Sequence, residues 1–456
     1  MRSSCRRLET IPTAVQWALA CFVLSRLVPL LAGAAELPLT LAEAQARAVE
    51  QNTMLVAARA QVQGAEARRL QTGGGLWPSL RVSEGFTATN DPVNAFGFRL
   101  KQGRFTQDDF AVESLNNPDD LYNWQTKVEL QQPLFDGIAS WNRRKQASQG
   151  VLAAEAELEH QIQQVRFETA RAYWGHALAA ASLAAMQEGL ATASAHARDA
   201  EARFTQETIT LPDLLAAQLR VAELEEQVIL AESRRDGAAE ALGLVMGLEV
   251  ATRVVPRDSL ARQEAVWSVD SLVVVALQAR PDLSAASYRA EAARKGAAAA
   301  GGGFWPRLDA FGSAEINSED LAARDGDSWT AGAMLHWYLF AGGRTRGGYR
   351  EAQAQAAAAT AVLAFEKQRA EREVRQAHRD LQAARKRIDV ADAAQRQASE
   401  RLRITELQYR EGVATTTDLL SAQSGKTEAR LRHVQALHDL NVGIARLAFL
   451  VGGSLD

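Results

Sequence analysis

The chain has 456 residues, of which 47% are hydrophobic, 23% charged and 6% aromatic. Lys and Arg number 51 against 55 Asp and Glu, a formal charge of −4, which excludes the basic excess of a nucleic-acid-binding protein. Only 11 Pro leave room for long uninterrupted helices, and two Cys, Cys5 and Cys21, are too few for a disulfide framework.

Residues 1–35 have the layout of a secretory signal peptide: a basic start at Arg2, Arg6 and Arg7, a mostly apolar run from Ile11 to Leu31, and small residues at Ala32-Gly33-Ala34-Ala35. Arg26 interrupts the apolar run and makes a membrane anchor a poor reading. Lipidation at Cys21 is the other alternative, but Ala18 stands where a lipoprotein signal usually has Leu, and Phe22 to Leu31 stays apolar. Cleavage near Ala34 or Ala35 removes both Cys, four Arg and one Glu, which takes the net charge from −4 to −7. The exported chain then has no thiol, and its stability comes from packing rather than crosslinks. No later apolar run approaches the length of a membrane-spanning helix.

The remaining chain repeats itself. Gly73-Gly74-Gly75-Leu76-Trp77-Pro78-Ser79-Leu80 recurs as Gly301-Gly302-Gly303-Phe304-Trp305-Pro306-Arg307-Leu308, an offset of 228. From Trp124 and Trp329 onward the offset is 205, and it holds through Phe204 and Tyr409, Asp213 and Asp418, Gln218 and Gln423, to Gly247 and Gly452. A register kept over so long a stretch marks a duplication: a first repeat over 36–250 and a second over 251–456. The change in offset gives the first repeat 23 extra residues between Asn90 and Tyr122. They include Phe96-Gly97-Phe98 and the acidic Asn116-Asn117-Pro118-Asp119-Asp120, and read as a solvated loop, with a lid or a receptor surface as functional alternatives.

Each repeat has the same element order. A helix over Leu39 to Thr72, and again Val269 to Ala300, stops at triple glycine and Trp-Pro. Period-two alternation follows in Leu80, Val82, Phe86 and Ala88, matched by Leu308, Ala310, Gly312, Ala314 and Ile316. After a polar loop, Trp124, Val128 and Leu130 alternate again, as do Trp329, Ala331, Ala333, Leu335, Trp337 and Leu339. These predict β-hairpins over 79–136 and 307–340, of a length that suits barrel strands crossing a bilayer and equally half-buried soluble strands. Helical hairpins are predicted over 138–247 and 342–451. Their cleanest seam runs Val374, Ala377, Leu381, Ala384, Ile388, Ala391, Gln395, Ala398, Leu402, Thr405, Tyr409, at spacings of three and four throughout, which predicts coiled-coil packing with small residues allowing close approach. The helix from Trp141 to Phe204 would be ~96 Å long at ~1.5 Å per residue. Leu39 to Thr72 and Asp213 to Gly247 are each about half as long, so two short helices end to end match one long one. Four strands cannot close a barrel in lipid, where the smallest have about eight; if the strands are in a membrane, several chains must pool them.

With the duplication, Gln132-Pro133-Leu134-Phe135-Asp136-Gly137 (echoed by Leu339-Phe340-Ala341-Gly342-Gly343) and Tyr409-Arg410-Glu411-Gly412 running into Thr417-Asp418-Leu419-Leu420-Ser421-Ala422-Gln423, the chain resembles the TolC-like outer-membrane efflux proteins over nearly its whole exported length. The resemblance implies a mainly α fold with membrane β: a coiled-coil α-helical barrel and four transmembrane strands per chain, completing a twelve-stranded barrel as a homotrimer. It implies an exit duct in outer-membrane lipid with a long periplasmic extension, serving a tripartite efflux or type I secretion system and docking a periplasmic adaptor and an inner-membrane pump. It also places the turns Phe204 to Asp213 and Tyr409 to Asp418 at the periplasmic tip. There Asp418 and its counterpart Asp213 take the place of an acidic ring, Tyr409 and Phe204 the place of aromatics that help hold the tip closed, and Gly412 the turn presented to the adaptor. The plain alternative for Asp418 is helix capping after Thr415 to Thr417, and the two roles are compatible. Glu207 where the second tip has glycine, Pro212 before Asp213, and Ser421 in place of a second acid depart from the family pattern.

No enzyme, cofactor or metal signature emerges. Gly425-Lys426-Thr427 resembles the end of a phosphate-binding loop, but Leu420 stands where its first glycine belongs. The seven His lack metal-ligand spacing. The competing functions are a periplasmic adaptor, which usually has one coiled-coil hairpin between small β domains rather than a duplicated hairpin and strand pair, and a secreted structural coiled coil, which would need no alternating strands.

Overall fold

The computed structural model describes residues 36–249, 252–263, 267–321 and 323–453; the signal peptide, Cys5, Cys21 and the cleavage site lie outside the described residues. In chain order the first repeat contains β1 (Glu36–Leu39), α1 (Leu41–Gln51), α2 (Thr53–Gly74), β2 (Ser79–Thr89), α3 (Pro92–Lys101), α4 (Val112–Asn116), β3 (Leu121–Phe135), α5 (Ala139–Thr205) and α6 (Leu211–Val245). The second contains β4 (Arg253–Pro256), α7 (Val269–Ala279), α8 (Pro281–Gly301), β5 (Arg307–Ser318), β6 (Gly326–His336), α9 (Arg344–Arg410) and α10 (Thr416–Val451).

The two long helices, α5 and α9, have 67 residues each, about 100 Å at ~1.5 Å per residue. Along each, two shorter helices lie end to end. On α5 these are α2 and α6, and on α9 they are α8 and α10. The seam on α9 is buried as its period predicts, from Val374 through Ile388 and again at Leu402, Thr405 and Tyr409. Gln395, the polar intruder, is only half-buried. Part of α10 is apolar enough to resemble a membrane span, with a mean hydropathy of 1.2 over 18 residues. It packs one face against α9, through Ala436, Leu440, Leu447 and Leu450, and a third of this membrane-length apolar stretch, which the expectation of no such run after the signal passed over, is buried within the protomer.

The helix expected over 39–72 is two. Asn52 is buried at the break; its side-chain amide donates to the Val245 carbonyl at 2.8 Å, and its Oδ1 accepts from the Met54 amide at 2.8 Å. That side chain ends α1, caps α2 and ties both to the end of α6. The second copy breaks at the corresponding Arg280, where Pro281 supplies the first residue of α8. Also missed was a parallel pair, β1 with β4, joined to α5 by Tyr173. Its hydroxyl lies 2.9 Å from the Leu39 carbonyl and 3.0 Å from the Asp258 carboxylate, and accepts from the Asp258 amide at 2.9 Å. These short strands carry too few residues to show a period.

The four longer strands form one antiparallel sheet in the order β2-β3-β5-β6. One face carries Leu80, Val82, Phe86, Trp124, Val128, Leu130, Leu308, Ala310, Ala314, Ile316, Trp329, Ala333 and Leu335. The other carries Arg81, Ser83, Asn123, Gln125, Lys127, Glu129, Asp309, Ser313, Glu315, Asn317, Ser328 and Thr330, with Phe311 and Met334 as its apolar exceptions, while Glu84, Thr126 and Asp327 interrupt the apolar face. Among the described residues nothing covers the apolar face: Leu80 is 69% and Trp329 78% exposed. An antiparallel sheet in water turns its apolar face to a core; here apolar-out and polar-in is the pattern of strands that face lipid on one side and an aqueous lumen on the other. Among the described residues the outer strands, β2 and β6, each keep one edge unpaired.

The predicted loop of extra residues is instead a folded unit. Asp91 caps α3 by accepting from the Asn94 amide at 2.9 Å, and Phe96, Phe105 and Phe110 meet edge-on with ring centroids 4.9 and 5.1 Å apart.

Candidate gate at the helical tip

The sheet sits at one end of the long helices and the hairpin turns at the other. Both turns are built alike. In the first, the Thr210 hydroxyl donates to Asp213 Oδ2 at 2.6 Å; in the second, the Thr415 hydroxyl donates to Asp418 Oδ2 at 2.7 Å. The same carboxylate oxygens accept the Thr210 and Thr415 amides at 3.2 and 3.1 Å, which makes each turn a capping box with Asp in place of Glu. The Thr210 hydroxyl, with its backbone amide and the Thr416 hydroxyl of the other hairpin, holds the Asp213 carboxyl below the ordinary range against the opposing effect of desolvation. The Thr415 hydroxyl and amide, with Arg401 nearby, do the same for Asp418. Both side chains are therefore anionic caps at helix N-termini at neutral pH.

The reversal before each cap needs a left-handed residue. Gly412 takes it at φ +75°, and Glu207, its counterpart in the first copy, at φ +57°. Glycine adopts that conformation freely, whereas Glu pays for the steric conflict of its Cβ.

The two predicted aromatics part company. Tyr409 is buried against Leu402, Leu419 and Ala422, while Phe204 is exposed. Sequence reasoning missed Arg203. Its guanidinium lies 4.7 Å from the centre of the Tyr409 ring, its Nη1 donates to the Tyr409 carbonyl at 3.3 Å, and its Nε donates to Asp199 at 2.9 Å. One residue thereby pins the first hairpin to the second by a cation–π contact and a hydrogen bond. The duplication held a signal for it: the 205-residue offset sets Arg203 against Gln408, a change of charge inside otherwise matching tips. Further up, His196 approaches Glu406 at 3.6 Å, and burial moves the imidazole below its ordinary pKa.

The motif at the opposite end explains its glycines. Gly137 has φ +66°, and a Cβ there would lie 2.6 Å from the Gly302 carbonyl oxygen and 2.8 Å from Trp305 Cβ. A Cβ on Gly302 would lie 2.7 Å from Ala139 Cβ. The Pro133-to-Gly137 turn of the first repeat and the triple glycine of the second thus touch backbone to backbone where helices become strands. Gly425-Lys426-Thr427 is interior helix, with the Thr427 hydroxyl donating to the Gln423 carbonyl. Among the described residues no cluster of three or more His, Cys, Asp or Glu has a metal-binding arrangement.

Known proteins share this architecture. OprJ of Pseudomonas aeruginosa, an outer membrane protein, is 26% identical over 227 residues, 49% of this chain and about half (47%) of its own length. The alkaline protease secretion protein AprF of the same organism is 25% identical over 346 residues, covering 73% of this chain and 70% of AprF. The solved CmeC outer membrane channel of Campylobacter jejuni superposes with a TM-score of 0.79 at 16% identity, over 91% of this chain and 85% of CmeC. The family model described as outer membrane efflux protein matches residues 44–248 and 272–453, both repeats and the greater part of the sequence: the chain belongs to the outer membrane efflux protein family.

Proposed function

We propose that this protein is one subunit of the outer-membrane exit channel of a tripartite efflux or type I secretion system. The observation that carries the reading is the sheet: a bare apolar face, a polar face opposite, and two unpaired edges, set at the end of helices about 100 Å long. An open edge in lipid leaves backbone groups unpaired, so β6 of one copy pairs with β2 of the next until the sheet closes. Three copies give the twelve strands of the family's barrel. The helices make the same demand. α5 packs against both α2 and α8, whereas among the described residues α9 has α8 on one side and no second short helix packed comparably on the other; a neighbour's α2, whose Met54, Val56 and Leu70 are exposed, fills that place. The helical part crosses the periplasm, and its tip meets an adaptor and, through it, an inner-membrane pump. Asp213, Asp418, Tyr409 and Gly412, with Arg203 tying the hairpins together, form the closed end, and Phe204 lies beside them. Carboxylates ringing a narrow pore favour cations there.

Fractionation with chemical crosslinking tests this. Recovery from the outer membrane as a crosslinked trimer is expected, whereas a soluble monomer or an inner-membrane protein refutes it; the latter is the outcome for a periplasmic adaptor.

A further inference from the structure

The extra residues of the first repeat lie on the polar face of the sheet. Strand β6 begins at Gly326, whose pairing partner is Asn317, so a side chain at 326 would project from the same face as Asn317 and Ser328. A Cβ built there would run into the Lys101 carbonyl, and the Lys101 and Gln102 backbone lies within 3.0 Å. Only glycine lets the end of α3 cross the strand so closely. Beneath this crossing Gln102 is buried, 1% exposed, and donates to the Tyr122 carbonyl at 2.8 Å and to Asn123 Oδ1 at 3.0 Å. Asn123 in turn donates to Asn317 Oδ1 at 3.0 Å. Lys101 Nζ reaches Glu315 Oε1 at 2.8 Å, well inside the end of β5, and Arg104 pairs with Glu319 at the rim. With the Phe96, Phe105 and Phe110 cluster and the Arg99–Asp109 pair, the segment is a self-supporting body fixed at several points to one wall. A solvated loop would leave Gln102, Asn123 and Asn317 to water. The second repeat joins the matching strands over the few residues between Ser318 and Gly326 and, among the described residues, has no such body.

We infer that residues 90–120 form a constriction folded into the external mouth of the barrel, narrowing the lumen from the end opposite the helical tip. The inference rests on the exit-channel reading, which makes the polar face the lumen wall. It assigns this segment the size selection of solutes at the outer opening, with Lys101, Gln102 and Arg104 as its attachment to Asn123, Glu315 and Glu319.

The exported chain has no Cys, so single thiols report access cleanly. Ser313→Cys places a thiol on the polar face, deeper than the attachment, and Val112→Cys places one on the exposed part of the segment. Intact cells are treated from outside with a small maleimide and with a much larger polyethylene-glycol maleimide. In the otherwise unaltered chain, the thiol at position 313 reacts with the small reagent and is protected from the large one. Exchanging residues 90–120 for the loop 319–325 removes that protection, and labelling approaches that of the thiol at position 112 in the Val112→Cys chain. Lys101→Ala with Arg104→Ala, which removes two ion pairs and leaves the Gln102 bonds in place, lessens the protection. Equal labelling of position 313 by the large reagent with and without the segment overturns the constriction. Should the Val112→Cys chain react while position 313 stays closed to the small reagent even in the loop-exchanged chain, the polar face is not an outward-opening lumen and the inference falls. An unreactive thiol at position 112 removes the exit-channel reading itself, and the inference with it.

Discussion

The glycines at the junction of helix and strand offer a test of both protomer packing and assembly. Alanine at 137 must adopt φ near +66° and place its Cβ 2.6 Å from the Gly302 oxygen and 2.8 Å from Trp305 Cβ. The left-handed conformation costs about 1 kcal/mol and forcing apart packed backbone about 1–3 kcal/mol more, so Gly137→Ala destabilises the folded protomer by about 2–4 kcal/mol. Gly342 is its counterpart at the 205-residue offset and also has positive φ, +59°, but nothing among the described residues lies within 4 Å of its Cβ. The partner expected of it is the counterpart of Gly302 at the 228-residue offset, Gly74, which is likewise open within the protomer. In a closed ring Gly74 of the neighbour meets Gly342 as Gly302 meets Gly137. Gly342→Ala therefore leaves the protomer with only the torsional cost, about 1 kcal/mol, and places the steric cost of about 1–3 kcal/mol on each subunit interface. Gly412→Ala is the control: φ is +75° with open space around it, far from the barrel junction. Heating the purified oligomer, the trimer proposed above, in detergent and following its band separates the cases. The band from Gly342→Ala dissociates at lower temperature than that from Gly412→Ala, and Gly137→Ala lowers the yield of folded chain in either form. Equal dissociation temperatures for Gly342→Ala and Gly412→Ala would refute the reasoning.

Other expectations follow from single side chains. Tyr173→Phe removes the hydroxyl joining β1, Asp258 and α5 and costs about 1–3 kcal/mol in thermal or denaturant unfolding; an unchanged midpoint contradicts it. Burial pushes the Tyr173 phenol up to about 12 from 10.0. Its folded value is the higher one, so its contribution is complete below pH 10 and fades as pH rises toward 12, a decline that the Tyr173→Phe chain lacks. Arg280, buried between Asp282 at 2.8 Å and Glu373 at 3.0 Å, joins the α7–α8 break to α9. Arg280→Met leaves Asp282 without its ion pair and Glu373 with only Arg369, at 3.4 Å, and costs about 3 kcal/mol in chemical unfolding, whereas Glu373→Gln costs less because Asp282 keeps both of its bonds to the guanidinium. At the tip, Asp418→Ala with Tyr409→Phe raises single-channel conductance in planar bilayers, and Arg203→Ala alone does so by releasing one hairpin from the other; unchanged conductance in both removes the gate assignment. The Asp213 and Asp418 carboxyls are depressed, so their capping contribution is present above the ordinary carboxylate range and lost only as pH falls through their lower folded values. Conductance that changes between pH 7 and pH 5 would argue against these two as the titrating groups.

Much of this architecture was written in periods. The duplication, the change from a period of two to seams of three and four, and the matched helix lengths are local patterns repeated many times, so the positions that the seam from Val374 to Tyr409 predicts are nearly all buried in the structure. Membership of the family was also legible, because its signature runs are short and contiguous. The tip carboxylates were found as positions, with capping weighed beside a gate role; the bonds from Thr210 and Thr415 give the capping its geometry.

What the sequence did not determine depends on partners far apart in the chain. Asn52 breaks a helix because Val245 lies beside it, and Arg203 holds Tyr409 across 206 residues. Single long-range contacts of this kind leave no period behind. The same is true of the extra segment. Its polar, Asn-rich composition reads as a loop, since an α-helix of ten residues has little periodicity of its own. Only the tertiary structure decided that it folds back over Gly326, because the space that receives it is made by a missing side chain on another strand, more than two hundred residues away.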